Sequence, residues 1–269
     1  MLKYTDAKNA FIDEIRVDDY IELEGSQMAY EQLAKSLDRP LKMALLFGRP
    51  GTGKTLLLHR LYSNFKYQKD LHFIETPAGS RREFYNKLFT VFTGKEMPSN
   101  TKVHFETYID YCKAIKGKRE IIILLDEAQM YPSEMLEEIR VLSDTGVVKF
   151  IISLHKTQDE DLVAKEHFQT RIWETIELKN ADRDELKTYI HKRLLQHGLF
   201  DIANQLGDKH CGFIYRYTKG NFRECNKMLY TAFELYEYYD KNESNKITYD
   251  RFSMKILEMA AIKLGYINV

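Results

Sequence analysis

The sequence predicts an α/β fold, a parallel β-sheet flanked by helices and followed by an all-helical piece. Three observations predict it. Five apolar stretches, residues 41–47, 71–76, 121–126, 147–153 and a short 175–178, run unbroken instead of alternating, as parallel strands covered on both faces do. Helical patterns separate most of these stretches, which is the βαβ signature. Beyond residue 178 the strand signals stop and helical periodicity dominates. The expected division is an α/β core over 1–178, with an N-terminal segment at 1–40, and a helical lid over 179–269.

Several helix starts are legible. Ser80 and Glu83 have capping-box spacing before REFYNKLFTVF. Ser133, after Pro132, opens EMLEEIRVL, with Met135, Leu136, Ile139 and Leu142 on one face. Asp182 and Glu185 form a second capping box, opening a helix that stops at Gly198. In TAFELYEYYD, Phe233 and Tyr236 follow helical spacing and are expected to pack the lid core.

Composition bounds the function. Lys and Arg number 40, as do Asp and Glu, so a formal net charge of zero gives no global pull toward nucleic acid or an acidic membrane. The three cysteines, Cys112, Cys211 and Cys225, form no C-x-x-C pair, so neither a disulfide framework nor a zinc site is expected. The N-terminus carries no apolar signal region, and apolar runs are only strand-length. A membrane role would come through a partner.

The chemistry starts at LLFGRPGTGKTLLLHR, residues 45–60. Gly48 to Thr55 fits G-x-x-x-x-G-K-[ST] at every fixed position, with a strand before it and a helix pattern after it. Such a loop wraps a phosphate in backbone N–H groups at a helix N-terminus, where side chains at Gly51 and Gly53 would obstruct. Gly48, Pro50, Gly51, Thr52, Gly53, Lys54, Thr55 and Leu56 are therefore the expected ATP cradle. Lys54 reaches the β- and γ-phosphates, and the Thr55 hydroxyl binds Mg²⁺.

A second element, IIILLDEAQ at 121–129, ends a buried strand on Asp126 and Glu127. Strand C-termini are where open α/β sheets hold ligands. Asp126 is expected to hold Mg²⁺ and Glu127 to polarise the attacking water, which favours hydrolysis over mere binding. Near the end of the fourth strand, Ser153 and His155 lie on one face by alternation, and either is a candidate γ-phosphate sensor. Arg171, just before the last strand, is a candidate arginine finger toward a neighbouring copy. Arg223 sits in the first turn of a helix, where a cation opposes the helix dipole, so a phosphate partner is expected. The basic stretch KAIKGKRE at 113–120 is expected to be a solvated loop, and residues 20–25 to edge the adenine pocket by position.

In this order the elements resemble an AAA+ ATPase. More narrowly, GRPGTGKT, LLDEAQMYPSEMLEEIRVLSD, TRIWETIELKNADRDELKTYIHKRL and TKGNFRECNKML resemble the ExeA/GspA-type ATPases of general secretion, and the related MuB- and TniB-type transposition ATPases. Those relatives show a DEAQ box, an LE-x-x-R-x-L helix, an R-I before the last strand and a Y-I-x-x-R-L lid helix. The resemblance covers most of residues 20–265. It implies a five-stranded P-loop core, a helical lid, Mg²⁺-dependent ATP hydrolysis, and homo-oligomers joined through Arg171 in trans and the lid arginine Arg223. Where the secretion ATPases carry G-Q-P-E-L after the fourth strand, this chain has LHKTQ, and His155 stands nearest the Gln. The sequence shows neither the membrane span nor the cell-wall-binding domain of the longer members, which suggests a stand-alone module.

Three roles remain open at this point. One is an oligomerising, cytoplasmic ATPase that works with a protein partner in a secretion, pilus-like or DNA-uptake machine, peripheral at the inner membrane. Another is an ATP-dependent DNA-binding regulator of the transposition or replication type, less favoured by the neutral charge. The third is an ATP-locked scaffold with slow turnover.

Overall fold

A computed structural model of the chain describes residues 3–99, 101, 104–155 and 170–268. Contacts divide it into two compact units. One comprises Met28–Pro50 and Lys54–Leu178; the other comprises Met1–Gln27, Gly51–Gly53 and Lys179–Val269.

The first unit is built on five parallel strands, β1 (Met43–Gly48), β2 (Leu71–Ile74), β3 (Ile121–Leu125), β4 (Val148–His155) and β5 (Ile172–Glu177). Their order is β2-β3-β4-β1-β5. β3 and β4 are buried along nearly their whole length, as uninterrupted apolar strands require. On one face, Met43, Leu45, Ile123, Leu125, Phe150 and Ile152 share a core with Phe84, Leu88, Tyr108, Ile139 and Leu142. Those five belong to α4 (Arg81–Thr93), α5 (Phe105–Ile115) and α6 (Ser133–Asp144). Each fully buried Leu or Ile there contributes about 1.5–3 kcal/mol. This unit also contains α2, which spans Glu24–Ser36 and begins in the other unit, and α3 (Lys54–Phe65), which lies against β1 and β2.

β5 begins at Ile172, three residues before the expected 175, and pairs with β1 through a register shift at Met43/Ala44. Its alternating exposure, typical of an edge strand, hides its first half from a search for unbroken apolar runs. Ser80 caps α4 by accepting from the Glu83 N–H, but the Glu83 carboxylate reaches back to the Gly79 N–H, one residue beyond the box.

The second unit is helical: α1 (Lys3–Asn9), then α7 (Arg183–Gln196), α8 (Phe200–Gln205), α9 (Asp208–Thr218), α10 (Phe222–Asn242) and α11 (Met254–Lys263). The capping box on α7 is complete, with both reciprocal bonds present. By contacts, residues 1–27 group with these helices and not with the sheet. The physical reason is apolar: Tyr4 stacks on Tyr236 and Phe11 on Phe233, within a core that also holds Ala7 and Ala10. The Arg193 guanidinium then donates to the Ala10 and Asp19 carbonyls, fastening the segment to α7. All three cysteines are buried, and burial pushes the Cys211 thiol up to about 11. Among the described residues no helix is long and apolar enough to cross a membrane.

Candidate nucleotide site

β1 ends at Gly48 and α3 starts at Lys54, so the glycine-rich loop joins a strand end to a helix N-terminus. Gly51 and Gly53 have φ of 80° and 95°, in the left-handed region that side-chain-bearing residues avoid. Nothing stands within 4 Å of the position a Cβ on Gly53 would take. Lys54, only 4% exposed, folds its ammonium onto the loop, donating to the Gly48 carbonyl at 2.9 Å and the Arg49 carbonyl at 3.0 Å.

One residue on, the Thr55 hydroxyl donates to Asp126 Oδ2 at 2.6 Å. Asp126 follows β3 directly and is 2% exposed. Its other oxygen accepts from the Ser153 hydroxyl and from the Glu127 N–H at 3.0 Å. A buried carboxylate is thus matched by three donors from three elements, which fixes its orientation. Parallel pairing of β3 with β4 brings Ser153 to this acid.

Glu127 is a departure no sequence pattern announces. Its backbone is left-handed, φ 49° and ψ 44°. For a non-glycine residue that conformation costs of order 1–3 kcal/mol and persists where the surroundings impose it. Here the N–H is held by Asp126 Oδ1 and, at 3.4 Å, by Ser153 Oγ. The turn sends its carboxylate away from Asp126 and toward His155, whose Nε2 lies 3.5 Å from Glu127 Oε1. The Glu127 side chain keeps 42% of its surface exposed. Gln129 completes the group, accepting from the His155 N–H at 3.3 Å. The sequence reading quoted Gln129 within DEAQ without giving it a part; its signal was its place two residues beyond the acid pair.

The structure therefore gathers Lys54, Thr55, Asp126, Glu127, Ser153 and His155. Arg171 is not among them. It stands at the start of β5, where Ile172 pairs with Met43, while the loop leaves the other end of β1. At about 3.3 Å per residue the two ends are roughly 17 Å apart. Arg171 instead pairs with Asp144 at 3.1 Å, an acid that also takes Lys42 at 2.6 Å and Arg140 at 2.9 Å. Burial raises the Asp144 carboxyl, but the bonds from Lys42 and Arg171 outweigh it and hold the group below its ordinary value. Of the motifs around this strand, Phe168 and Gln169, like Lys156, Thr157 and Gln158 of LHKTQ, lie outside the described residues.

Arg223, in the first turn of α10, pairs with Asp13 at 3.0 Å. A Cβ on Gly51 would meet its Cβ at 2.8 Å and the Asn221 Oδ1 at 2.4 Å. The Asp13 partner is invisible in sequence, because the two residues lie 210 positions apart. Residues 20–25 also group with this unit; there the Gly25 N–H donates to Glu185. In the basic stretch, Lys113 pairs with Asp110 and Arg119 with Asp70.

The donor set suits a hard divalent cation. A hydroxyl and a carboxylate oxygen, with no soft ligand beside them, match Mg²⁺, which takes few protein ligands and completes its shell from phosphate and water. Among the described residues no group of three or more His, Cys, Asp or Glu is arranged to hold a metal unaided. A buried ammonium at a helix N-terminus behind a glycine loop matches a phosphate chain.

Comparison with known proteins agrees with this geometry. Residues 38–159 match the family model described as an AAA domain. The chain superposes on the Cdc6p protein of Pyrobaculum aerophilum with a TM-score of 0.66, at 14% identity over 95% of this chain and 70% of that one. It superposes on the ORC1 protein of Aeropyrum pernix, solved in complex with DNA, with a TM-score of 0.58, at 16% identity over 96% and 69%. For domain III of the replication initiation protein DnaA from Thermotoga maritima, the TM-score is 0.53, at 17% identity over 94% and 97%. At such identities these likenesses concern the fold. No curated protein matches the chain.

Proposed function

Taking the AAA+ P-loop fold as the premise, we propose that this protein binds ATP with Mg²⁺ and hydrolyses it to ADP and phosphate. The observation that carries the reading is the 2.6 Å bond between Thr55 and Asp126, which joins the glycine loop to the acid pair. Thr55 and Asp126 are the residues to hold Mg²⁺, which when bound supplies charge neutralisation on the β- and γ-phosphates. Lys54 is already drawn into the loop and exchanges its carbonyl partners for phosphate oxygens. Glu127, turned outward and partly solvated, is the base that takes a proton from the attacking water.

Ser153 is committed to Asp126, so its part is to orient the metal-binding acid. His155, beside Glu127, is the better candidate to sense the γ-phosphate and to hold the Glu127 carboxylate until it does. Arg171 lies at the wrong end of the sheet for its own chain's phosphates. That supports a role in trans, as an arginine finger in a homo-oligomer. Arg223 is the lid arginine, and its release from Asp13 would accompany any phosphate contact.

For the biological role we propose an ATP-dependent DNA-binding regulator. The support is the fold shared with a DNA-bound ORC1 and with domain III of a replication initiation protein. A second reading, an ATPase serving a secretion, pilus-like or DNA-uptake machine, keeps the support of DEAQ, LE-x-x-R-x-L and Y-I-x-x-R-L. Duplex binding at graded salt, with ATP and without, separates the two. Binding that ATP strengthens and salt weakens steeply supports the regulator. Absence of DNA binding with intact ATPase activity supports the machine.

A further inference from the structure

Remote from the nucleotide loop, α4, α5 and α6 enclose an open groove of about 620 Å³. Glu138 lies in its wall. The residue is only 6% exposed, an unusual place for a carboxylate. Its donors all fall on one oxygen: Arg81 Nε at 2.9 Å, Arg81 Nη2 at 2.7 Å and the Tyr85 hydroxyl at 2.9 Å meet Oε1. The other oxygen, Oε2, is buried and accepts no hydrogen bond. A guanidinium fork can grip both oxygens of a carboxylate side by side, but Arg81 spends its outer nitrogen on Glu134, 3.7 Å away. One buried acceptor is therefore left for a donor from elsewhere.

The rest of the wall states what that donor should be. Glu106, Glu134 and Glu137 line the same groove, so acids outnumber the one arginine. Glu106 and Glu134 are exposed and stand as a rim. Tyr85 and Phe105 supply aromatic surface, which attracts cations over its faces. The Tyr85 hydroxyl is pushed up to about 12 by burial and by its bond to Glu138, so it donates at any ordinary pH. A carboxylate oxygen awaiting a donor, an acidic rim and two rings form a receptor for a cation and repel a phosphate backbone.

We propose that this groove is a binding site for an alkylammonium or guanidinium group, whose N–H donates to Glu138 Oε2 between Tyr85 and Phe105. The group would come from a free polyamine or from a Lys or Arg side chain of a partner protein. Titration calorimetry on the full chain tests this with two probes, spermidine and a short arginine-rich peptide. The site predicts saturable binding of at least one probe, weakened about tenfold by Glu138→Gln and by smaller factors in Glu134→Gln and Glu106→Gln. Glu258→Gln, on the exposed side of α11, should leave it unchanged. Tighter binding of the peptide identifies a basic protein segment, and equal binding a free polyamine. The exposed Glu134 and Glu106 variants keep the test decisive should Glu138→Gln fail to fold. Binding of neither probe, or binding indifferent to all three groove variants, overturns the proposal.

Discussion

Ser153 shows how much one hydroxyl can decide. Buried in β4, it bridges the Asp126 carboxylate and the Glu127 N–H, and so ties the metal acid to the left-handed turn after it. Its removal leaves a buried carboxylate short of one donor, at a cost of about 1–3 kcal/mol. Ser153→Ala should therefore lower the unfolding midpoint and weaken Mg²⁺-dependent ATP binding together. A variant with unchanged stability and unchanged metal dependence would show that Ser153 only fills space. The glycine loop and acid pair are legible in sequence because phosphate binding constrains residue type at fixed spacing. The αL turn of Glu127 is not, since Glu carries no preference for it and the imposing contacts come from a strand 26 residues on. Asp13 is hidden for a like reason: nothing local marks it as the partner of Arg223.

Among the elements, α1 is the one whose place was least legible. Its sequence shows a short acidic and basic helix with no sign of what it packs on. The answer lies in α10, where Glu237 takes the Lys8 ammonium at 2.5 Å, the Thr5 hydroxyl at 2.9 Å and Lys241 at 2.8 Å. Hydrogen bonds from Lys241, Lys8 and Thr5 hold the Glu237 carboxyl down at about 2, below its ordinary 4.5. A carboxyl depressed by folding stabilises above its unfolded value and loses that contribution as pH falls through its folded value. The docking of α1 should weaken between about pH 4.5 and about 2. Hydrogen exchange of α1 amides across that window checks it, and Glu237→Gln should flatten the dependence. Exchange that stays pH-insensitive in the native protein would contradict the assignment. The parallel strands, by contrast, were visible because a strand covered on both faces must be apolar throughout. β5 was half-seen because an edge strand need not be.

Across the whole molecule the two candidate arginines are of different kinds. Arg171 is bound to Asp144 at the sheet edge away from the loop, and Asp144 keeps Lys42 and Arg140 when it is lost. Arg171→Ala should therefore fold and bind ATP as before. Its ATPase rate should no longer rise with protein concentration, a loss of up to about 10³-fold for a finger acting in trans. Unaltered concentration dependence would remove Arg171 from the account. The central claim, that a triphosphate is gripped at Gly48–Thr55 and cleaved with the help of Glu127, has its most direct test in one paired measurement. ATP binding and turnover, with Mg²⁺, are followed on the same samples of native protein and Glu127→Gln. The account predicts that the variant binds ATP as the native protein does and turns it over about 10²–10⁴-fold more slowly. Equal turnover in the two, or a folded native protein that binds no ATP, would contradict it.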